Sequence, residues 1–265
     1  MKFKKNIVAF SVFIAGLLLW GCGSSSNTSA PQTAQTAFAH ARELYTKGDY
    51  LEAIQALDVV KLQYGGSSIA DSAEFLLGEC NFKIDKFLLA AYEYNTVRRI
   101  YSSSPLARIS QFKIAESYYN LSPDPGLDQD YTQRAIDEYQ TYLELYGNLR
   151  DASGQPDSMT VIANERIKEL HAKLAEKNYN IAQLYFKMDS YTSAIIYCDI
   201  IQDKFYDTQY ADLALYLKIQ SLIELKRYIE AGREIKKFTT VYAASPLLPK
   251  VQDIQTTISD KITQQ

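Results

Sequence analysis

From about residue 37 onward, apolar positions recur with helical spacing, and no strand-like alternation between apolar and polar residues persists. One phrase returns within this pattern. It reads Gly48-Asp49-Tyr50-Leu51-Glu52-Ala53, Asp85-Lys86-Phe87-Leu88-Leu89-Ala90, Asp189-Ser190-Tyr191-Thr192-Ser193-Ala194 and Lys226-Arg227-Tyr228-Ile229-Glu230-Ala231. Ala53 to Ala90 is 37 residues, as is Ala194 to Ala231. A fixed period of this size predicts stacked helical hairpins. Eleven residues after each alanine stands an aromatic: Tyr64, Tyr101, Phe205 and Tyr242. Ala135 and Tyr146 keep the same interval, which makes a fifth copy once an insertion is allowed. The turn reverses the chain, and the alanine lets the second helix approach the first, because axes about 8 to 10 Å apart leave no room for a large side chain.

These features resemble the tetratricopeptide repeat, although the period is longer than the usual 34 or so. The fold class expected is all-α: a superhelix of about five hairpins with an extended helix between the third and fourth. The third hairpin is interrupted by Ser122-Pro123-Asp124-Pro125-Gly126, a loop signal. Residues 147–156 read as a second loop. Asp157 or Ser158 then caps a helix running through Ile162, Ile167, Leu170, Leu174, Ile181 and Tyr185 to Met188. It is about 30 residues and roughly 45 Å long.

Ahead of the repeats the pattern changes. Three lysines in the first five residues precede a mostly apolar run, Ile7 to Leu19, too short to span a bilayer comfortably. This is the layout of an export signal. Leu19-Trp20-Gly21-Cys22 resembles the lipobox of bacterial lipoproteins, which implies a diacylglyceryl group on Cys22 and cleavage before it. Ordinary secretory cleavage after Gly21 or Gly23 is the competing reading. Two or more fatty chains on one residue hold a protein stably at a bilayer. Gly23, rather than an aspartate, follows the cysteine, and the lipoprotein sorting rule then implies delivery to the outer membrane. The domain plan expected is a signal peptide over 1–21, a Gly/Ser/Thr-rich tether over 22–36, hairpins one to three with the connecting helix over 37–174, and hairpins four and five with a C-terminal tail over 175–265.

Loss of Lys2, Lys4 and Lys5 with the signal leaves 25 of the 28 basic residues against 31 acidic ones, a net charge of −6 that argues against a nucleic-acid surface. Cys80 and Cys198 each lie in a helical pattern, far apart in sequence, and read as buried thiols or as a disulfide partnership.

Two stretches carry a more specific resemblance: residues 128–139, DQDYTQRAIDEY, and residues 170–185, LHAKLAEKNYNIAQLY. With the anchored N-terminus, five hairpins and the long helix, they resemble the BamD family of the outer-membrane β-barrel assembly machinery. The resemblance implies a scaffold on the periplasmic face of the outer membrane. Such a scaffold binds unfolded outer-membrane proteins through its N-terminal repeats. Its C-terminal repeats contact the POTRA domains of a BamA-like barrel protein, and other assembly lipoproteins are possible neighbours. A different repeat-built adaptor, serving cell-wall or cell-envelope machinery, is the alternative.

In register, the first helices carry Phe38, Phe75, Phe112, Tyr179 and Tyr216 at one position, and Tyr45, Phe82, Tyr119, Phe186 and Ile223 seven residues later. Seven residues is two turns, so each pair shares a face. Phe38, Tyr45, Phe75, Phe82, Phe112 and Tyr119 are candidate lining for a peptide groove. Tyr179, Phe186 and Tyr216 are candidates for the partner contact. A packing role between helices is the other reading. Arg42, Glu79, Glu116 and Gln183 complete that face, either for a peptide backbone or simply solvated. No catalytic set emerges. His40 and His171 lack metal-ligand spacing, and Asp124, Asp128 and Asp130 do not match a calcium loop. An enzyme, a metal and a cofactor beyond the lipid on Cys22 are therefore not expected.

Overall fold

A computed structural model describes residues 33–263; Cys22, the signal over 1–21 and the tether as far as residue 32 lie outside it. The described residues form eleven helices and one isolated bridge, Arg150 to Pro156. The hairpins are α1 (Ala34–Lys47) with α2 (Tyr50–Tyr64), α3 (Ala70–Lys83) with α4 (Phe87–Ile100), and α5 (Leu106–Leu121) with α6 (Asp130–Tyr146). The long α7 (Ser158–Lys187) pairs with α8 (Tyr191–Lys204), α9 (Ala211–Glu224) with α10 (Tyr228–Val241), and α11 (Leu248–Thr263) closes the array. Packing runs chiefly between neighbours in chain order, as in a solenoid. The fold is thus an all-α, tetratricopeptide-like superhelix.

The repeating phrase has a backbone cause. Its first residue takes the left-handed conformation in four hairpins: Gly48 (φ 86°), Asp85 (59°), Asp189 (55°) and Lys226 (58°). The next amide then reaches back to close the first helix, as from Asp49 to Leu44 at 3.0 Å and from Arg227 to Leu222 at 2.8 Å. The third hairpin departs from this because its loop insertion leaves Asp130 at the start of α6. All five alanines, Ala53, Ala90, Ala135, Ala194 and Ala231, are fully buried. The third-hairpin loop is held from α7: Lys173 donates to the Ser122 hydroxyl at 2.8 Å, and Lys177 donates to the Leu127 carbonyl.

Two boundaries differ from expectation. Thr33 and Thr36 form a reciprocal capping pair, so α1 starts at Ala34 and the last three tether residues are helical. Asp157 stands at the cap position of α7 but makes no side-chain cap. Its carboxylate instead accepts from Arg108 at 2.9 Å and from the Tyr142 hydroxyl at 3.1 Å, tying α7 to the third hairpin. The long helix runs unbroken, as expected, across the division drawn at 174–175, where Leu174 packs against the apolar clusters on both sides.

Successive repeats are joined by polar contacts that recur in register. Lys61 on α2 lies 2.9 Å from Glu74 on α3 and 2.8 Å from Glu93 on α4. Thirty-seven residues on, Arg98 donates to Gln111 at 2.9 Å and meets Glu138 at 3.5 Å. Ser104 caps the backbone entering α5 and donates to Asp71 at 2.6 Å; Ser245 does the same ahead of α11 with Asp212 at 2.7 Å. The serines before Pro105 and Pro246 therefore fix how the next helix enters.

Candidate functional site

The rings of the expected ladder pack within the hairpins or against the helix that follows. Across three tight turns the same contact repeats: Tyr45 edge-on to Tyr50 (5.5 Å between centroids), Phe82 to Phe87 (5.1 Å) and Phe186 to Tyr191 (5.3 Å). Phe75 tilts against Tyr94 at 5.5 Å and Tyr179 against Tyr210 at 5.8 Å. Phe38 and Tyr216 lie half-buried against the first and last apolar clusters. Tyr119 lies under the Arg166 guanidinium, 4.0 Å from its ring centroid, and donates to Glu169 at 2.8 Å.

Phe112 departs from the groove reading outright. It is 7% exposed and sits edge-on to Tyr139 and Tyr142, so it belongs to the core. Helical spacing places a ring on a face; whether the next helix covers that face depends on packing between repeats. The other rings are half-buried, each contributing one side to its hairpin.

The two glutamates of this face are committed too. Glu79 accepts from the Tyr94 hydroxyl at 2.6 Å and pairs with Lys113 at 2.9 Å; Glu116 accepts from the Tyr139 hydroxyl and lies 3.7 Å from Arg166. Burial, reinforced by the adjacent carboxylate, pushes both phenols far above their ordinary range, so they remain donors. First helices of successive repeats are thus cross-linked, α3 to α5 by Glu79 and Lys113, and α5 to α7 by Glu116 and Arg166. Arg42 is exposed.

An open surface lies elsewhere. Between α4 and α5 runs a groove of ≈ 310 Å³ lined by Leu88, Tyr92, Asn95, Ile114 and Tyr118, with Glu138 of α6 at its wall. Leu88 is 49% and Tyr92 63% exposed. At its end Tyr118 stacks on Tyr131, interplanar angle 16°, and Arg134 stands 5.8 Å from the Tyr118 centroid. An apolar and aromatic trough with amide and guanidinium groups on its rim can hold an extended peptide by side-chain burial. The signal in the sequence was Leu88 and Tyr92, four apart on the face opposite Ala90 and Tyr94, a second apolar stripe on one helix.

Cys80 and Cys198 are free and buried in different clusters, and burial pushes both thiols up to about 12. Such thiols stay protonated and unreactive. Among the described residues no three His, Cys, Asp or Glu side chains are placed to hold a metal ion, and no helix is long and apolar enough to cross a membrane.

Comparison with solved structures gives the TPR2AB-domain:pHSP90 complex of yeast Sti1, at 13% identity over 85% of this chain and 98% of that one, with a TM-score of 0.38. No curated protein matches the sequence. The sequence model of the family described as YfiO, outer membrane lipoprotein, matches residues 30–228, from just ahead of α1 to the start of α10. Because that match takes in well over half of the chain, the protein belongs to the YfiO family of outer membrane lipoproteins.

Proposed function

We propose that this lipoprotein is a scaffold of the β-barrel assembly machinery. It is held at the periplasmic face of the outer membrane by acyl chains on Cys22, receives unfolded outer-membrane proteins, and passes them to a BamA-like barrel protein contacted through its POTRA domains. The observation that carries this reading is the family match across residues 30–228 of a chain built from helical hairpins. Outer-membrane strands alternate apolar and polar residues and end in aromatic girdles. The trough of Leu88, Tyr92, Ile114 and Tyr118 offers apolar and aromatic contacts to such a segment while it is still extended. This moves the proposed substrate contact from Phe112, which is core, to the outward face of α4. The rings of Phe38, Tyr45, Phe75, Phe82 and Tyr119 border the hairpins as half-buried supports. Tyr179, Phe186 and Tyr216 hold the C-terminal hairpins together, and the partner contact falls to the outer surfaces of those hairpins.

Crosslinking in intact cells followed by identification of partners tests the reading. A barrel protein with periplasmic domains, recovered together with unfolded barrel polypeptides, is the expected result. Recovery of cell-wall proteins alone would transfer the protein to the adaptor class.

A further inference from the structure

The groove between α4 and α5 has a counterpart at the end of the array, between α10 and α11. Every side chain that matters is displaced by 141 residues: Leu88 to Ile229, Tyr92 to Arg233, Asn95 to Lys236, Ile114 to Gln255 and Tyr118 to Ser259. The serine latches that place α5 and α11, Ser104 and Ser245, carry the same offset, so the two grooves are built alike.

Their chemistry differs in two ways. The internal groove is aromatic, and α6 sets a carboxylate, Glu138, in its wall, where Arg98 meets it at 3.5 Å. The terminal groove, a cavity of ≈ 420 Å³, has an apolar floor of Ile229 (44% exposed), Gly232 and Ile258, and two cations at its rim. Across the groove from these cations, α11 contributes Gln255 and Ser259 to the lining, and no carboxylate among the described residues. The neighbouring acids make their ion pairs elsewhere, Glu230 with Arg227 at 2.5 Å and Glu234 with Lys218 at 2.8 Å, and Arg233 acts on Glu230 only through its field. Among the described residues, no ion pair reaches Arg233 or Lys236. Between 226 and 250 the chain holds six Lys and Arg against those two glutamates, a local excess of positive charge on a protein whose net charge is −3.

We propose that the groove between α10 and α11 is a docking site for an acidic segment of a partner polypeptide. Carboxylates on that segment meet Arg233 and Lys236, and an apolar side chain between them rests on Ile229 and Gly232. The occupant supplies the carboxylate that Glu138 supplies to the internal groove. A polar outer face on α11, with Gln252, Asp253, Thr256 and Thr257 exposed, confines the contact to the groove. Charge pairing at such a rim steers encounter and selects the partner, and the small apolar floor sets the register.

The test places a photocrosslinking amino acid at Gln255 of the full-length lipoprotein in its own cells and maps the captured segment by mass spectrometry. The expected adduct is a polypeptide segment with Asp or Glu flanking an apolar residue. Its yield should fall about tenfold in the Arg233→Glu, Lys236→Glu double variant, and the Arg233→Gln, Lys236→Gln variant should fall likewise. Exchange of the mapped acids for lysine should restore the adduct to the charge-reversed protein. Adducts to lipid or to a second copy of this chain, no adduct at all, or undiminished capture by either double variant would overturn the proposal. The inference deepens the scaffold reading but fails separately from it. An acidic segment from a protein unrelated to barrel insertion supports the groove and sinks the scaffold. A BamA-like partner that co-purifies equally well with the charge-reversed variant, without an adduct at Gln255, sinks the groove alone.

Discussion

Gly78 on α3 lies directly against the ring of Tyr94 on α4: a Cβ at position 78 would stand 2.7 Å from Tyr94 Cε1. Tyr94 is fully buried and pinned by its bond to Glu79, so its ring has little freedom to retreat. Gly78→Ala should destabilise the protein by about 1 to 3 kcal/mol through overpacking. Adding Tyr94→Leu, which recreates the Ala41 and Leu57 pairing of the first hairpin, should recover part of the loss. Urea unfolding of the three variants checks this, since independent costs would simply add.

Glu74 sits between Lys61 and Glu93 at the junction of the first two repeats. Lys61 Nζ lies 2.9 Å from Glu74 Oε2 and 2.8 Å from Glu93 Oε2, so one ammonium serves both carboxyls. Burial, helped by Glu93 and opposed by Lys61, pushes the Glu74 carboxyl up to about 7. The folded state therefore holds a proton that the unfolded chain releases above its ordinary 4.5, and stability falls as pH rises from there to about 7. Glu74→Gln copies Gln111 of the next junction. It should flatten the melting temperature across this window and add about 1 kcal/mol at pH 8.

The left-handed turn residues are individually testable. A Cβ on Gly48 would touch nothing within 4 Å, so the cost of Gly48→Ala is backbone strain alone, about 1 kcal/mol. Asp85→Gly, at the equivalent turn, should shift stability the other way by up to about 0.5 kcal/mol. Thermal midpoints of the two variants should move in opposite directions.

Phe112 and Tyr92 separate core from surface. Phe112→Ala should cost about 3 to 5 kcal/mol, given its burial against two tyrosines. Tyr92→Ala should change stability by less than about 0.5 kcal/mol and still weaken capture of a denatured barrel protein. Tyr92→Ala binding that polypeptide as the parent does would remove the α4 groove from the substrate path.

Cys22→Ala should release the protein from membranes into the soluble periplasmic fraction. Fractionation after metabolic labelling with a fatty acid checks it: the variant should carry no label, and label retained without the thiol would refute acylation at this residue.

The hairpin array follows from residue types along the chain. The 37-residue period, the alanines and the helix from Ser158 to Lys187 were all legible, because turn chemistry and close helix approach restrict residue types locally. The sequence also placed the aromatics on a shared face, since 3.6 residues per turn follows from the backbone. Tertiary structure alone decided which faces are covered. Phe112 is core because α6 brings Tyr139 and Tyr142 onto it. Glu79 and Glu116, which read as free polar positions, are held by phenols from the second helices and by cations from the next repeats. The same step separated two grooves of one design, aromatic between α4 and α5 and basic between α10 and α11. Periodicity records what a helix presents, whereas burial and charge pairing depend on the neighbour that arrives, often 30 or more residues away in the chain.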